Sequence, residues 1–182
     1  VTGGTSAPDD YSSEFVAIPA GVPFRPPRVT PKPFVRGIQT AVVVGPAGEE
    51  IYVDKYARVK VQFPWDRRGK KDEKSSCWMR VTQPWGGSGY GGLFIPRIGQ
   101  EVVVDFVEGD PDRPLINGRL YNAEQMPQAS NAGRDASEGP APADIPQAKM
   151  MTSWKSNSLG GSGGSNEITM NDTGGAEGLF IK

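Results

Sequence analysis

Alternating apolar and polar positions between residues 37 and 121 predict a domain built of β-strands. In Arg58–Phe63, which reads RVKVQF, every second residue is apolar, and Gln100–Val107 repeats the pattern. A period of two residues is typical of a strand with one buried face. Shorter segments of the same kind occur at Gly37–Val44, Glu50–Val53, Cys77–Val81 and Ile116–Leu120. No segment shows a convincing helical period, so we expect about five strands and an all-β domain.

The inward positions of these strands give the predicted hydrophobic core. In each strand the apolar residues on the presumed buried face are two positions apart. The expected core residues are Val42, Val44, Val59, Val61, Phe63, Val102, Val104, Phe106, Ile116 and Leu120.

The segment Glu108–Pro114, EGDPDRP, predicts a rigid turn between the last two strands. Glycine permits unusual backbone angles, aspartate side chains bond nearby backbone N–H groups, and each proline fixes its own φ and disfavours helix before it. The expected turn residues are Gly109, Asp110, Pro111, Asp112 and Pro114. We therefore predict a β-hairpin with a stiff polar tip.

Composition changes abruptly after Asn122. Residues 123–164 are rich in Ala, Ser, Gly and Pro, which predicts a linker with too little apolar surface to fold alone. Two short alternating pieces follow, NEITM and GLFIK, in which Ile168 and Met170 share one face and Leu179 and Ile181 another. Strands of five residues are too short to stand alone, so they require neighbours.

Composition and charge narrow the class of protein. Hydrophobic residues make up 36%, below the usual ~45–50%, and 24 glycines and 17 prolines are clustered, which indicates a modest core plus linkers. The net charge of −1 argues weakly against a nucleic-acid binder. One cysteine, Cys77, excludes an intrachain disulfide, and we see neither a signal peptide nor a membrane-spanning run.

Several sequence blocks together resemble one known family. PRIGQEVVVDFVEGDPDRPLINGRLYN, FRPPRVTPKPFVRGIQTAVVVGP, YARVKVQFPWDR and SSCWMRVTQPW are similar to blocks of the VgrG proteins, the spikes of the bacterial type VI secretion apparatus, which resemble contractile phage tail spikes. The match covers roughly residues 11–127. One position departs from it, because Pro64 stands where the family block has histidine. Proline removes a ladder donor, so the strand should end there or lie at a sheet edge.

The resemblance implies a structural function, that of a puncturing spike component at the tip of a type VI secretion, or contractile injection, apparatus, which transmits force and carries effectors. It also implies an architecture. Pattern alone leaves a sandwich and a barrel open, and the resemblance favours a five-stranded OB-fold barrel. It implies a tether over residues 1–34 from a missing hub domain, the barrel at 35–122, the linker at 123–164, and the first strands of an intertwined trimeric β-helix at 165–182. The residues of this trimeric β-helix would then include Ile168, Met170, Leu179 and Ile181.

The resemblance also implies partners and a route. The partners would be two further copies in a homotrimer, an Hcp-like tube protein, a PAAR-type tip protein and effectors, bound mostly through regions outside this sequence. The spike would assemble in the bacterial cytoplasm and enter the target cell without a signal peptide. It would cross the membrane mechanically and not be embedded in it.

The residue types in the sequence give little support for a catalytic site. With no histidine, Ser-His-Asp and Cys-His catalysis and the usual zinc sites are excluded, and we expect no catalytic, cofactor or metal site. Cys77 reads as a packed thiol, and Asp110 and Asp112 as turn formers. The glycines of Gly86–Gly92 read as a mobile loop, because no Lys-Ser/Thr and no helix follow for phosphate binding.

Two other functions stay open. The first is the non-catalytic part of a phage-tail lysozyme-like spike. The second is an OB-fold module that binds single-stranded nucleic acid through stacked aromatics among basic residues. The candidate residues for the second are Phe63, Trp65, Trp78, Trp85, Tyr90, Arg67, Arg68, Lys70 and Lys71. Acidic residues in the same loops and the inward parity of Phe63 argue against it.

Overall fold

The computed structural model describes residues 14–127, 148–161 and 163–182. The chain divides into a unit that ends at Lys32 and a second unit from Pro33 to Lys182. In the first unit, residues 14–32 are exposed and form neither helix nor strand. The rest of the predicted tether, residues 1–13, and half of the predicted linker, residues 128–147 and 162, lie outside the described residues.

Strands dominate the second unit, and the described residues contain no α-helix. The strands are β1 (Gln39–Val44), β2 (Lys60–Gln62), β3 (Arg80–Val81), β4 (Gly86–Gly87), β5 (Tyr90–Gly91), β6 (Glu101–Phe106), β7 (Pro114–Leu120), β8 (Met151–Lys155), β9 (Glu167–Asn171) and β10 (Gly178–Ile181). Short 3₁₀ turns occupy Val107–Gly109 and Leu159–Gly161. The all-β prediction is confirmed. The predicted strand at Glu50–Val53 is wrong, since those residues run outside the strands.

Five strands form one curled sheet in the order β2-β1-β6-β7-β3. Its pairs are antiparallel except β3 with β7, which is parallel. A bridge between Val59 and Met79, with N···O distances of 3.0 and 2.8 Å, joins the segments leading into the two outer strands. This sheet agrees with the predicted OB-fold barrel. β2 ends at Gln62 and lies at the sheet edge, as the proline at position 64 predicts.

The core lies inside the curled sheet. Its buried residues are Ala41, Val43, Val59, Val61, Met79, Val102, Val104, Phe106 and Ile116. Phe63 is half-buried and packs against this cluster, and Val44 is also buried. Val42 was predicted to lie in the core, and this prediction is wrong, because Val42 is only partly buried. It lies opposite Gln62 and Glu101, whereas Ala41 and Val43 face the buried Val102 and Val61.

Leu120 is the second correction to the predicted core. It is 44% exposed. The pairing of β6 with β7 shifts register between Val103 and Val104, where Gly118 and then Ile116 are the partners, so Asn117 is an extra residue. A bulge of this kind reverses the side-chain alternation beyond it. Leu120 therefore pairs with the outward-facing Glu101, and Arg119 pairs with Val102.

The predicted turn lies at the end of the β6–β7 hairpin. Asp110 N donates to Val107 O at 3.1 Å, and Asp110 Oδ1 accepts from Asp112 N at 2.9 Å. Arg113 pairs with Glu108 at 3.1 Å. Glu108 and Gly109 have φ values of 56° and 70°, so two successive residues adopt the left-handed region at this tip.

The chain enters and leaves the barrel at opposite ends. Val35 N bonds to Gly109 O at 2.8 Å, which places the entry beside the hairpin tip. β1 and β7 then both run away from the tip, because each is antiparallel to β6, the strand between them. The exit follows Leu120, the residue that pairs with the first residue of β6.

The three C-terminal strands form a separate antiparallel sheet in the order β10-β9-β8. The expected intertwined β-helix is not seen in the single chain. Strand β8 falls inside the predicted linker, so residues 151–155 correct that boundary. Among the described residues no helix is long and apolar enough to cross a membrane.

Candidate functional site: the apolar face of the C-terminal sheet

The register of the C-terminal sheet places its large apolar residues in two rows. Trp154 pairs with Ile168, which pairs with Ile181, and Met170 lies between Thr152 and Leu179. Directly opposed residues in a sheet project from the same face. We call this surface the apolar face, formed by Trp154, Ile168, Met170, Leu179 and Ile181.

The apolar face is open to solvent in the single chain. Trp154 and Ile181 are 72% and 74% exposed, and Leu179 is 64% exposed. Ile168 and Met170 are 43% and 47% exposed. Contiguous apolar surface of this kind marks an interaction site. The four residues predicted from alternation are therefore brought onto one face, and not onto two.

The opposite face of the same sheet is partly covered. Thr169 is fully buried, and its Oγ1 donates to Glu167 Oε1 at 2.8 Å. Glu167 is buried as well, with Lys155 Nζ 3.9 Å from its carboxylate. The face that carries Glu167 and Thr169 is therefore partly covered within the chain, and the apolar face is the exposed side of the sheet.

The loop between β8 and β9 is tied to the barrel by charged side chains. Arg97 Nη2 donates to Asn157 O at 2.6 Å, and Glu50 Oε1 accepts from Gly160 N at 2.6 Å. Arg97 Nη1 is buried and lies 3.7 Å from Glu50 Oε2. The ring of Phe94 lies 6.4 Å from that of Trp154. These contacts connect the barrel to the apolar face.

Two of the aromatic residues considered for nucleic acid, Trp65 and Trp78, contact other rings of the protein, whereas Trp85 and Tyr90 are 67% and 64% exposed. Trp65 stacks on Phe63 at 5.0 Å, and its Nε1 donates to Gln39 Oε1 at 2.9 Å. Tyr52 packs against Trp78 at 4.9 Å between ring centroids. A continuous stacking platform requires free ring faces, so this arrangement favours internal packing over base stacking.

The basic loop at Asp66–Ser76 is ordered by a buried glutamine, which the sequence did not predict. Gln62 Oε1 accepts from Lys71 N at 2.6 Å and from Ser75 Oγ at 3.1 Å. Gln62 Nε2 donates to Asp66 O at 3.3 Å. The loop is thus more than the solvated tip that its mixed charges indicate.

Residues singled out for chemistry lie apart from one another. Cys77 is exposed, which corrects the expected packed thiol, because Cys77 lies outside the strand, before the pairing begins at Met79. Within the described ranges no group of three or more His, Cys, Asp or Glu residues is arranged to hold a metal ion. Burial lowers the pKa of Arg119, whose Nη2 donates to Phe94 O.

Trp154 is the residue of the apolar face that the sequence analysis did not predict. It lies in a segment whose composition resembles a linker, and its strand, MTSWK, has one large apolar residue at an alternating position. The available signal was that Thr152 and Trp154 are two positions apart, as are Ile168 and Met170, the residues with which they pair. That signal becomes visible only once the register with β9 is known.

Comparison with known proteins places the barrel in a defined class. The family model described as the type VI secretion system/phage-baseplate injector OB domain matches residues 40–121, which contain all of the five-stranded sheet except its first residue, Gln39. The barrel is an injector OB domain.

Relatives extend the match over the whole chain. The type VI secretion system spike protein VgrG1c of Pseudomonas aeruginosa is 51% identical over 182 residues, covering 99% of this chain and 23% of that protein. VgrG4b of the same organism is 48% identical, with 100% and 21% covered. The actin cross-linking toxin VgrG1 of Vibrio cholerae is 42% identical, with 98% and 15% covered. The chain belongs to the VgrG family and spans less than a quarter of these three relatives.

Proposed function

We propose that the chain is a structural module of a trimeric spike at the tip of a type VI secretion, or contractile injection, apparatus. In this proposal the barrel and the C-terminal strands hold the spike together, transmit axial force and help to carry effectors. The single observation that carries it is the exposed apolar face. Full burial of a large apolar side chain contributes about 1.5–3 kcal/mol, so covering this face by other copies stabilises an assembly.

A homotrimer would cover the apolar face and would also pair the open edges of the sheet. β8 and β10 are edge strands whose outer backbone groups are open to pairing. Closed symmetric oligomers remove such edges. Residues 165–182 would therefore begin an intertwined trimeric β-helix when three chains are present, with the barrel at residues 35–122 above it and residues 1–34 as a tether from a preceding hub.

The wider assembly is a further part of this proposal. Relatives are named as type VI secretion spike proteins, which supports assembly in the bacterial cytoplasm and delivery into a target cell without a signal peptide. An Hcp-like tube protein, a PAAR-type tip protein and effectors are the proposed partners, and the spike would cross membranes mechanically.

We also propose that this chain is not itself an enzyme, although one relative is named as a toxin. The engaged aromatic pairs described above give less support to the nucleic-acid module than to the spike. The alternative, the non-catalytic part of a phage-tail lysozyme-like spike, would contain the same barrel, and no observation favours it over the proposed function.

The oligomeric state tests this proposal. We expect light scattering and sedimentation over a dilution series to give three times the monomer mass. Ile181→Asp, which puts a charge on the apolar face, should dissociate the trimer. Ser153→Asp puts the same charge on an exposed residue of the opposite face and should leave it assembled. A wild-type mass that stays monomeric at every concentration, or one that Ile181→Asp leaves trimeric, would overturn the proposal.

A further inference from the structure

A second exposed apolar surface lies on the barrel itself. Strands β4 and β5, which lie within the segment Trp85–Phe94, form a two-stranded ribbon. Trp85, Tyr90 and Leu93 are 67%, 64% and 65% exposed, and Phe94 is 44% exposed. We call these four residues and the strands between them the aromatic ribbon. The injector role proposed above does not use it.

The aromatic ribbon is organised by its own residues. Tyr90 pairs with Gly87 across the ribbon, and its ring occupies the space where a Cβ at position 87 would project. Trp85 meets the Tyr90 ring edge-on, with 5.8 Å between centroids, and Gly92 N donates to Trp85 O at 2.9 Å. An aromatic ring over a strand glycine is a known way to stabilise such a site. Gly87 serves this packing, in a segment where the sequence predicts a mobile loop.

The base of the ribbon is fixed to the barrel. Gln83 Oε1 accepts from Phe94 N at 2.8 Å, and Gln83 Nε2 donates to Phe94 O at 3.2 Å. Arg119, at the bulged end of β7, also donates to Phe94 O. The amide of Gln83 therefore binds both backbone groups of Phe94, as a strand neighbour would. The aromatic side chains are held in place before any partner arrives.

A ribbon of this size requires cover. Two strands of two residues each bury no core of their own, and isolated two-stranded hairpins are marginal in water. The segment from Val81 to Pro96 contains no Asp, Glu, Lys or Arg. Depletion of charge together with enrichment in Trp, Tyr and Phe is the composition of the centre of a protein interface. Pre-organised aromatic residues are also typical hot spots.

We propose that the aromatic ribbon of one protomer packs against a second copy of this chain, so that the trimer interface extends from the C-terminal sheet onto the barrel. This inference rests on the proposed trimer. The argument for a second copy is continuity. Phe94 at the base of the ribbon contacts Trp154 at the edge of the apolar face, so the two surfaces adjoin in one protomer. A partner copy that covers the apolar face therefore reaches the ribbon.

The geometry of a cyclic trimer fits this assignment. In a ring each protomer presents two different surfaces, one to each neighbour. The aromatic ribbon would be one such surface at the level of the barrel. It would also hold the three barrels at fixed angles, by direct contact at the level of the barrel.

The first test measures trimer assembly of the 182-residue chain after the side chains of Trp85 and Tyr90 have been truncated. Trp85→Ala combined with Tyr90→Ala should raise the concentration at which the trimer dissociates by at least about tenfold, because truncating aromatic anchors weakens interfaces strongly. Tyr121→Ala removes an aromatic residue of similar exposure outside the ribbon and should leave that concentration unchanged. Circular dichroism would confirm that each variant is folded.

A second measurement does not depend on those substitutions. A photo-crosslinking amino acid at position 90 should give covalent dimers and trimers of this chain after irradiation, whereas the same amino acid at position 121 should give monomer. A stable wild-type trimer that Ile181→Asp dissociates, but that neither crosslinks at position 90 nor weakens in the double variant, would overturn this inference and leave the proposed function standing. A wild-type monomer without crosslinks would overturn both.

Discussion

Gly109 at the tip of the β6–β7 hairpin lies against the ring of Phe34, in the space a side chain at position 109 would fill. Its carbonyl accepts from Val35 N at 2.8 Å, and its φ is 70°. The tip is therefore the site where the incoming chain is fixed to the barrel. Glycine is required there both by its backbone angle and by the neighbouring ring.

Gly109→Ala should lower the free energy of unfolding by roughly 1–2 kcal/mol, the cost of a left-handed conformation for a residue with a Cβ. Gly37→Ala is the matched control, because Gly37 has a φ of 78° and open space around it. Chemical denaturation of both variants separates the two causes. A larger loss at 109 than at 37 measures the contact with Phe34, and an unchanged stability at 109 would contradict the role given to the tip.

Gln62→Leu should release the basic loop. The substitution removes the acceptor for Lys71 N and Ser75 Oγ and the donor to Asp66 O, so we expect a loss of roughly 1–3 kcal/mol. Amide exchange at Lys71 should accelerate. Gln62→Glu keeps the acceptor for Lys71 N and should lose less. Equal exchange at Lys71 in wild type and Gln62→Leu would show that the loop is ordered by something else.

Asp54 should contribute to stability in a pH-dependent way. The hydrogen bond from Arg58 Nε to Asp54 Oδ2, 2.7 Å long, lowers the pKa of this carboxyl, and backbone bonds from Arg58 and Tyr56 lower the pKa further against desolvation. A depressed pKa means that the stabilisation is present above the unfolded pKa of about 4 and is lost as pH falls through the folded value.

Melting temperatures of wild type and Asp54→Asn measured from pH 7 to pH 2.5 check this expectation. The variant should be less stable at pH 7 and should lose less on acidification. Arg58→Met, which keeps the carboxyl but removes its donor, should flatten the acid limb in the same way. An acid limb in Asp54→Asn as steep as in wild type would contradict the assignment.

Glu50 and Arg97 should hold the β8–β9 loop on the barrel. Glu50→Ala removes the acceptor for Gly160 N, so hydrogen exchange at Gly160 should accelerate. Overall stability should change by less than about 1 kcal/mol, because the ion pair is partly exposed. Glu49→Ala, at the exposed neighbouring carboxylate, should leave exchange at Gly160 as in wild type. No difference between the two variants would contradict the anchor.

The sequence predicts the barrel well where alternation is unambiguous. In Val59–Val61 and Val104–Phe106 one polar residue separates the two apolar residues, so the buried face can be read directly. It fails at Ala41–Val44, where four apolar residues in succession fit either parity. It fails again at Leu120, because a bulge leaves no mark in the hydrophobic pattern when the extra residue is polar.

The C-terminal sheet shows a different limit. Ile168 and Met170 are visible from alternation, but β8 lies in a segment of small polar residues. Its role depends on pairing with β9 across Ser156–Asn166, a contact that local composition does not encode. The aromatic ribbon is missed for a related reason, since glycines read as flexibility until the ring of Tyr90 is seen to lie over Gly87.

The opposite positions of chain entry and exit determine how the barrel responds to load. A push or pull applied between Val35 and Leu120 acts parallel to β1, β6 and β7, because entry is at the hairpin tip and exit is at the far end of β7. The backbone hydrogen bonds of these strands are then loaded in shear, all at once, and not opened one after another as in a zipper. The same topology that orders the sheet therefore makes it stiff along the line that joins chain entry to chain exit.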